Sequence, residues 1–583
     1  MKANGIAKLG MLLAAVSLVA AGCGGGTSGT ATNEPAKTTG SSSTNASADK
    51  SKDTANDTSP VTFTFFGGDA SPNWAKMQDE VGKVITEKTG VTIDGEFAVS
   101  GTDQQKIALM IASGDYPEIL YPKGETSKLV EAGALVDLTD LIEQYAPNIK
   151  KLYGPYMNRL KYSKEDPSIY TIPTNTSVDN TAFEAQGGFE VQLSVLEELG
   201  YPEIRTVDDF EKVLKEYYAK HPTIDGQPTI PLTLNADDWK IMITVSNPAF
   251  LATGAPDDGE FYIDPETYEA KLHYKRPEEK EYFKWLNKMY NEGLIDPEAF
   301  TQKNDQYLAK ISSGRVLGLI DQTWDFQEAT NSLKSSGKFD KLYGHFPVTL
   351  TEEYKDHSFV DIGNASGYGI SFTTSMSKEK QIRAIKFLDW MASDEGQILG
   401  NWGIEGKQYK VENGKRVIPK DVLDRKINDN AAFQKETGIG LYSPFTVRYG
   451  DGVKDTTGNY YTTNYPEQIT NSYSEPEKKA LAAYKATTWK DLFPGKEEFP
   501  VKKWGAAYNL PAPSTPEFTV PFQKGQDIVR KAIPAAIVAS PDQFDAIYDK
   551  MIEDLNSNGI PEMEAMYTQM IKDTVETWGE STK

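Results

Sequence analysis

A single cysteine in 583 residues, at position 23, limits what can hold this chain together. An exported chain with one thiol has no internal disulfide, so its fold must rest on buried apolar surface. From Val61 onward about 520 residues remain, far more than one small core requires. That length predicts two or more lobes.

The first residues explain where Cys23 stands. Lys2 and Lys8 form a basic start without an acidic residue, and Leu9 to Ala21 is almost wholly apolar. A membrane span needs about 20 such residues, so the run reads as a secretory signal over residues 1–22 and not as a permanent anchor. Val19-Ala20-Ala21-Gly22-Cys23 resembles the lipobox of bacterial lipoproteins, with Ala20 in place of the more usual Leu. The resemblance implies cleavage before Cys23 and acylation of its thiol, and two or more acyl chains hold firmly to a membrane. The segment 23–60 is rich in Gly, Ser, Thr, Ala, Asn, Lys and Asp. It lacks bulky apolar residues and is expected to be a disordered tether.

Taking Lys2 and Lys8 from the 61 basic residues leaves 59 against 84 acidic ones, a net charge of about −25. That balance argues against nucleic acid and against an anionic membrane surface as partners. No segment after the signal has 18 consecutive apolar residues, so the mature body is expected to be soluble. The 9 Trp, 30 Tyr and 24 Phe residues suit sugar rings, whose C–H faces stack on aromatics, although most must be core.

Strands and helices alternate along the body. Val61–Phe66 reads as a strand that exits through Gly67-Gly68-Asp69 toward Trp74. Thr102 and Gln105 form a capping-box pattern before a helix closed by Gly114. Glu118–Tyr121 is the next strand, and Leu129–Tyr145 reads as mostly helix. This alternation predicts an α/β fold with a mainly parallel sheet. Pro173 keeps Tyr170–Pro173 extended at a point where one lobe could hand over to another. Thr206 caps a helix with Phe210, Val213, Leu214 and Tyr217 on one face. A second helix covers Tyr282–Tyr290 and ends near Gly293. Arg315–Ile320 is a buried strand leading to Asp321 and Trp324, and Tyr368–Ser371 is a further strand. Lys378–Met391 is a helix, 449–465 is loop, and the end from about Asp542 to Trp578 is helical.

Catalytic chemistry finds little support. The four histidines (His221, His273, His345, His357) have no zinc spacing, and no phosphate-binding glycine motif is present. Gly363–Gly367 lacks the spacing of a nucleophile elbow. Asp554–Gly559 begins like a calcium loop, but Ala565 stands where the bidentate Glu belongs, so a helix end with left-handed Gly559 is expected. No cofactor and no metal are expected. A glycoside hydrolase needs only two carboxylates, and 84 acidic residues leave that alternative open.

Several segments taken in order resemble the extracellular solute-binding proteins of carbohydrate ABC importers (family 1), in particular the large lipoprotein group of Paenibacillus-like Gram-positive bacteria. They are Lys106–Pro117, Leu129–Leu138, Tyr170–Pro173, Glu292–Pro297, Ser313–Val316 and, most telling, Ala384–Gln397 with Asn401–Tyr409. Gly187–Gln192 departs from the group, many of whose members carry a basic-Asp-Trp-Leu segment there. The resemblance implies an α/β, two-lobe periplasmic-binding-protein-like fold (type II) with a hinge and an interlobe cleft. The lobes would comprise 61–173 with about 367–420, and about 174–366 with about 421–583. It implies a monomer at the extracellular face of the bacterial membrane, delivering a carbohydrate, by length an oligosaccharide, to ABC permease transmembrane subunits. A sensory adaptor presenting sugar to a membrane receptor is a further alternative.

Ligands in open α/β sheets sit beyond the carboxyl ends of strands. That rule nominates Asp69, Trp74, Tyr121, Asn175, Asp321 and Trp324. Tyr368 and Trp402 join them because they flank the most family-like segment, and Trp239 because of its polar surroundings. Trp and Tyr would stack on the sugar while Asp and Asn receive its hydroxyls.

Overall fold

The computed structural model describes residues 57–579, apart from 100–101 and 364–366. The apolar leader, Cys23 and the segment to Asn56 lie outside the described residues, as does most of the loop through Gly363–Gly367. The strands of the two main sheets are, in chain order, β1 (Val61–Gly67), β2 (Val91–Phe97), β3 (Ile119–Tyr121), β4 (Ile172–Pro173), β5 (Gly187–Gln192), β6 (Ile230–Leu232), β7 (Val316–Gln322), β8 (Tyr343–Phe346) and β9 (Gly369–Phe372).

The first sheet runs β2-β1-β3-β9-β4. β1 lies parallel to β2 and β3, as expected from alternating elements, while β9 returns antiparallel to β3 and β4. Where β9 meets β4 the backbones come very close: a Cβ on Gly369 would lie 1.8 Å from the Ile172 carbonyl oxygen. Only glycine fits there. Asp79 caps the helix Glu80–Thr89 by accepting from the Gly82 amide at 2.7 Å, and Gly90 ends it at φ 70°. The helix Asp103–Ser113 begins after Thr102 as expected, but the capping box does not form. Thr102 sits in the helical region and its hydroxyl donates to the Val99 carbonyl instead. Leu129–Tyr145 is two helices, Thr126–Glu131 and Thr139–Tyr145, interrupted where Gly133 takes a φ of 63°. Lys378–Met391 is the expected helix, and Asp389 on it accepts from the amides of Asn148 and Ile149, capping the helix Pro147–Tyr153.

The second sheet runs β8-β5-β7-β6 and is mostly antiparallel, with only β6 and β7 parallel. Thr206 and Asp209 form a full capping box on Val207–Lys220. The side chains of Phe210 and Leu214 pack onto the sheet at Gly318, where a Cβ would meet both at 3.0–3.1 Å. The end of the chain is helical over Phe544–Asn556 and Ile560–Trp578, with Gly559 at φ 78° between them. A third helix, Pro516–Val538, has no counterpart in the sequence reading because Pro521 and Pro534 act as breakers by local rules. Its buried face of Phe518, Val529, Ile533 and Ile537 supplies the compensating packing. No described helix is long and apolar enough to cross a membrane.

Each sheet has its own core. Phe63, Ile119, Ile172, Phe372 and Leu388 belong to the first, and Phe189, Phe210, Leu319 and Ile533 to the second. The chain crosses between them over 174–186 and again between β8 and β9. The third crossing is later than the expected residue 421. Leu441, Tyr442, Phe445 and Val447 pack in the first core, whereas Tyr473 packs against the second. The whole stretch from 421 to 461 therefore stays with the first lobe: the Trp402 indole N–H donates to the carbonyls of Tyr460 and Tyr461 at 3.0 and 3.1 Å.

Candidate functional site

The carboxyl ends of β1 and β3 and the start of the first crossing meet around a cavity of 390 Å³. Asp69, Tyr121 and Asn175 line it, together with Phe65, Phe97 and Arg448. Asp69 lies just past β1 and pairs with the Lys123 ammonium at 2.8 Å. Tyr121 ends β3 and is buried, and that burial, with the Asp69 charge second, pushes its hydroxyl pKa up. Arg448 donates to the carbonyls of Thr174 at 2.7 Å and Asn175 at 3.4 Å, pinning the first crossing to the far end of the lobe. Burial lowers the guanidinium pKa. Gln434 reaches the rim from the helix Asn430–Thr437 and accepts from the Asn73 amide at 3.1 Å.

Trp74 stands behind this wall. Its ring packs against Phe97 at 5.3 Å and Tyr442 at 5.5 Å. Trp402 is 2% exposed and is held by two backbone carbonyls, with the Arg416 guanidinium 5.6 Å above its ring. It is core, and its place in the family-like segment reflects packing.

On the second lobe, Trp239 and Trp324 stack with ring centres 6.1 Å apart and planes 15° from parallel. Trp324 is 53% exposed, rare for a residue of this size. Lys240 pairs with the buried Asp325 and sets its ammonium 4.9 Å from the Trp239 ring, so the two rings rest on a fixed charge. The helix Gln327–Ser335, which follows Trp324, packs against Lys420–Asn428 of the first lobe. That neighbour leads directly into the helix carrying Gln434, which lines the cavity.

Asp321 departs from its expected place. It is 1% exposed and lies inside β7, where it accepts from the Tyr307 hydroxyl at 2.6 Å and the Gln322 amide at 2.7 Å. Burial and then the neighbouring Asp325 hold its pKa well above the usual carboxylate range. Glu190 on β5 is likewise buried, with its pKa raised by burial and then by Asp321. Neither lines the cavity.

Tyr368 bridges the lobes. Its hydroxyl donates to the Tyr508 carbonyl at 2.6 Å, and burial followed by the Asp69 charge pushes its pKa up to about 12. Beside it a gap of 460 Å³ between the lobes separates 159–173 from the helix Ile560–Trp578. Ties between the lobes cross that gap: Lys164 pairs with Glu576 at 2.9 Å, and Arg159 lies 4.6 Å from the Trp578 ring. The smaller cavity, at the strand ends, is the candidate site because strand ends in open sheets leave backbone groups and side chains free for a ligand. Among the described residues no cluster of three or more His, Cys, Asp or Glu could hold a metal ion.

The sequence offered no local signal for Arg448, which reaches Thr174 across 274 residues. Lys123 could have been found, since it follows a nominated strand end by two residues.

Comparison with known proteins agrees with this architecture. Residues 80–400, over half the chain, match the family described as bacterial extracellular solute-binding protein. The fructooligosaccharide ABC transporter substrate-binding protein of Streptococcus pneumoniae is 25% identical over 356 residues, or 55% of this chain. The match spans 59% of that relative's length. Lipoprotein LipO of Bacillus subtilis is 24% identical over 64% of this chain and 71% of its own. The solved structure of the S. pneumoniae protein in complex with kestose superposes with a TM-score of 0.62 at 17% identity, covering 88% of this chain and 99% of that one. The fold is therefore the two-lobed α/β fold of the periplasmic solute-binding proteins, and the relatives are binding proteins. The chain belongs to the bacterial extracellular solute-binding proteins.

Proposed function

We propose that this chain is the substrate-binding lipoprotein of an ABC importer and captures a carbohydrate, of oligosaccharide length, between its two lobes. The observations that carry this reading are the strand-end cavity of the first lobe and the exposed stack of two tryptophans on the second. Such rings bind the C–H faces of sugars, while Asp69 and Asn175 supply acceptors and a donor for hydroxyls. A ligand touching both walls favours the closed arrangement by its differential affinity, and a permease that reads the closed form then accepts the cargo. Cys23 is the site of the lipid that keeps the protein at the extracellular face of the membrane, acting as a monomer. The sugar-binding and lipoprotein names of the two relatives support this reading.

A thermal-shift screen of oligosaccharides, followed by calorimetry on the hits, tests it. At least one oligosaccharide is expected to raise the melting temperature and to be recovered intact. Release of shortened products during the incubation would refute the binding role in favour of hydrolysis.

A further inference from the structure

The two tryptophans of the second lobe stand in matching places in the chain. Trp239 is followed by Lys240 and Trp324 by Asp325, and those two following residues pair with each other. The pair is withdrawn from water, with 12% of the Lys240 side chain and 2% of the Asp325 side chain exposed, although Trp324 beside it is open to solvent. A buried ion pair loses so much solvation that stability alone is a poor reason for one.

The loop that carries Trp239 is held by three charged residues in four positions. Asp237 pairs with Lys303 at 2.8 Å and accepts from the Asn304 amide at 3.2 Å. Asp238, at a φ of 55°, pairs at 3.0 Å with Arg530 on the helix Pro516–Val538. Of the three, only Lys240 joins this loop to the one that carries Trp324. Just after Lys240 the chain makes a π-helical turn, Met242–Ser246, in which the Asn247 amide donates to the Met242 carbonyl at 2.8 Å. Such turns are rare and concentrate at functional sites.

The pair fixes the rings without leaving a net charge beside them. The Lys240 ammonium lies 4.9 Å from the Trp239 ring and 6.0 Å from the Trp324 ring, and Asp325 balances it. The neighbouring Asp321 adds no second negative charge, because burial and then the Asp325 charge favour its protonated form. One carboxylate therefore faces one ammonium. The C–H face of a sugar gains most from an aromatic surface whose position is locked by the residues supporting it.

We propose that Lys240 and Asp325 are positioning residues, whose pairing holds the indoles of Trp239 and Trp324 as one stacking face for the saccharide. This rests on the reading of the cleft as a carbohydrate site. It gives the ion pair a role in affinity that is separable from its role in stability.

The test is calorimetry on the purified full chain with the tightest binder among maltotriose, cellotriose, mannotriose, xylotriose and kestose, beside melting curves. Lys240→Met with Asp325→Leu removes both charges at similar volume, an exchange that buried ion pairs often tolerate without loss of stability. This double variant is expected to melt close to the unaltered protein and to bind about fivefold more weakly, within the worth of one aromatic contact. Lys240→Arg, which keeps the pair, is expected to bind as the unaltered protein does, and Lys240→Gln, which breaks it, about fivefold more weakly. Full affinity in the folded double variant would overturn the proposal. Equal affinities of Lys240→Arg and Lys240→Gln would also overturn it, and that comparison decides the matter if the double variant does not fold. Affinity that falls only in variants whose Tm falls with it would overturn positioning in favour of a structural role. Binding of no member of the panel by the unaltered protein would overturn the carbohydrate reading and the proposal together.

Discussion

Lys502→Met is expected to destabilise the protein at pH 7.5 by up to about 2 kcal/mol more than at pH 5 through its nearest partner, the Asp258 carboxyl. Lys502 and Asp258 are buried, 4% and 1% exposed in their side chains, with the ammonium 2.6 Å from the carboxylate. The Ala507 amide and the Trp504 indole also donate to Asp258, at 3.1 and 3.2 Å. Burial outweighs these partners and pushes the Asp258 pKa from 3.8 up to about 6, with Lys502 the largest influence in the other direction. The folded pKa lies above the unfolded one, so the native state binds the proton first, and stability falls as pH rises from about 4 to 6. Without Lys502 the folded pKa climbs further. At pH 7.5 the group can then escape its buried charge by protonating, which bounds the added cost at about 1.5 pKa units, or about 2 kcal/mol. At pH 5 the carboxyl is largely protonated with or without the lysine, and this cost vanishes. For about 520 folded residues the unfolding entropy is about 1.1 kcal/mol/K, so 2 kcal/mol corresponds to about 2 °C in Tm. Scanning calorimetry at the two pH values measures it. Equal Tm losses at pH 5 and 7.5, or none at 7.5, would refute the reasoning. The segment concerned matters for the cleft, since it presents the Tyr508 carbonyl that receives Tyr368.

Trp324→Ala is expected to weaken saccharide binding by up to about tenfold, the worth of one aromatic contact, while leaving Tm unchanged because the ring is largely exposed. Calorimetry beside a melting curve separates the two effects. Thr206→Ala removes the capping box of Val207–Lys220 and is expected to cost about 1 kcal/mol, read in a denaturant titration. Gly369→Ala forces a Cβ into the Ile172 carbonyl and is expected to lower soluble yield and Tm sharply, whereas Gly400→Ala, which meets nothing within 4 Å, is not. Cys23→Ser is expected to move the protein from the membrane fraction of the producing cell into the medium, measured by immunoblot of both fractions.

Local features of this molecule were legible in the chain because local contacts create them. β1, the Thr206 cap, the helix Lys378–Met391 and the turn at Gly559 each depend on residues within a few positions of one another. The strand-end rule likewise needed only the strand limits to reach Asp69, Tyr121 and Asn175, which the fold gathers around one cavity. The rest depends on partners that have no signature in nearby sequence. Asp321 satisfied the same strand-end rule and Trp402 flanked the family-like segment, but Tyr307 and the carbonyls of Tyr460 and Tyr461 draw them into the core. Pro516–Val538 is helical in spite of two internal prolines because its apolar face is covered by Pro277–Asn291 and by the two helices that follow it. Arg448 enters the cavity only because residues 441–447 pack under the first sheet. The sequence by itself determined the elements and the ends at which a ligand could bind. Tertiary structure decided which side chains reach the cavity, Arg448 among them, and which are drawn into the core, because burial and charge pairing are properties of the assembled lobes.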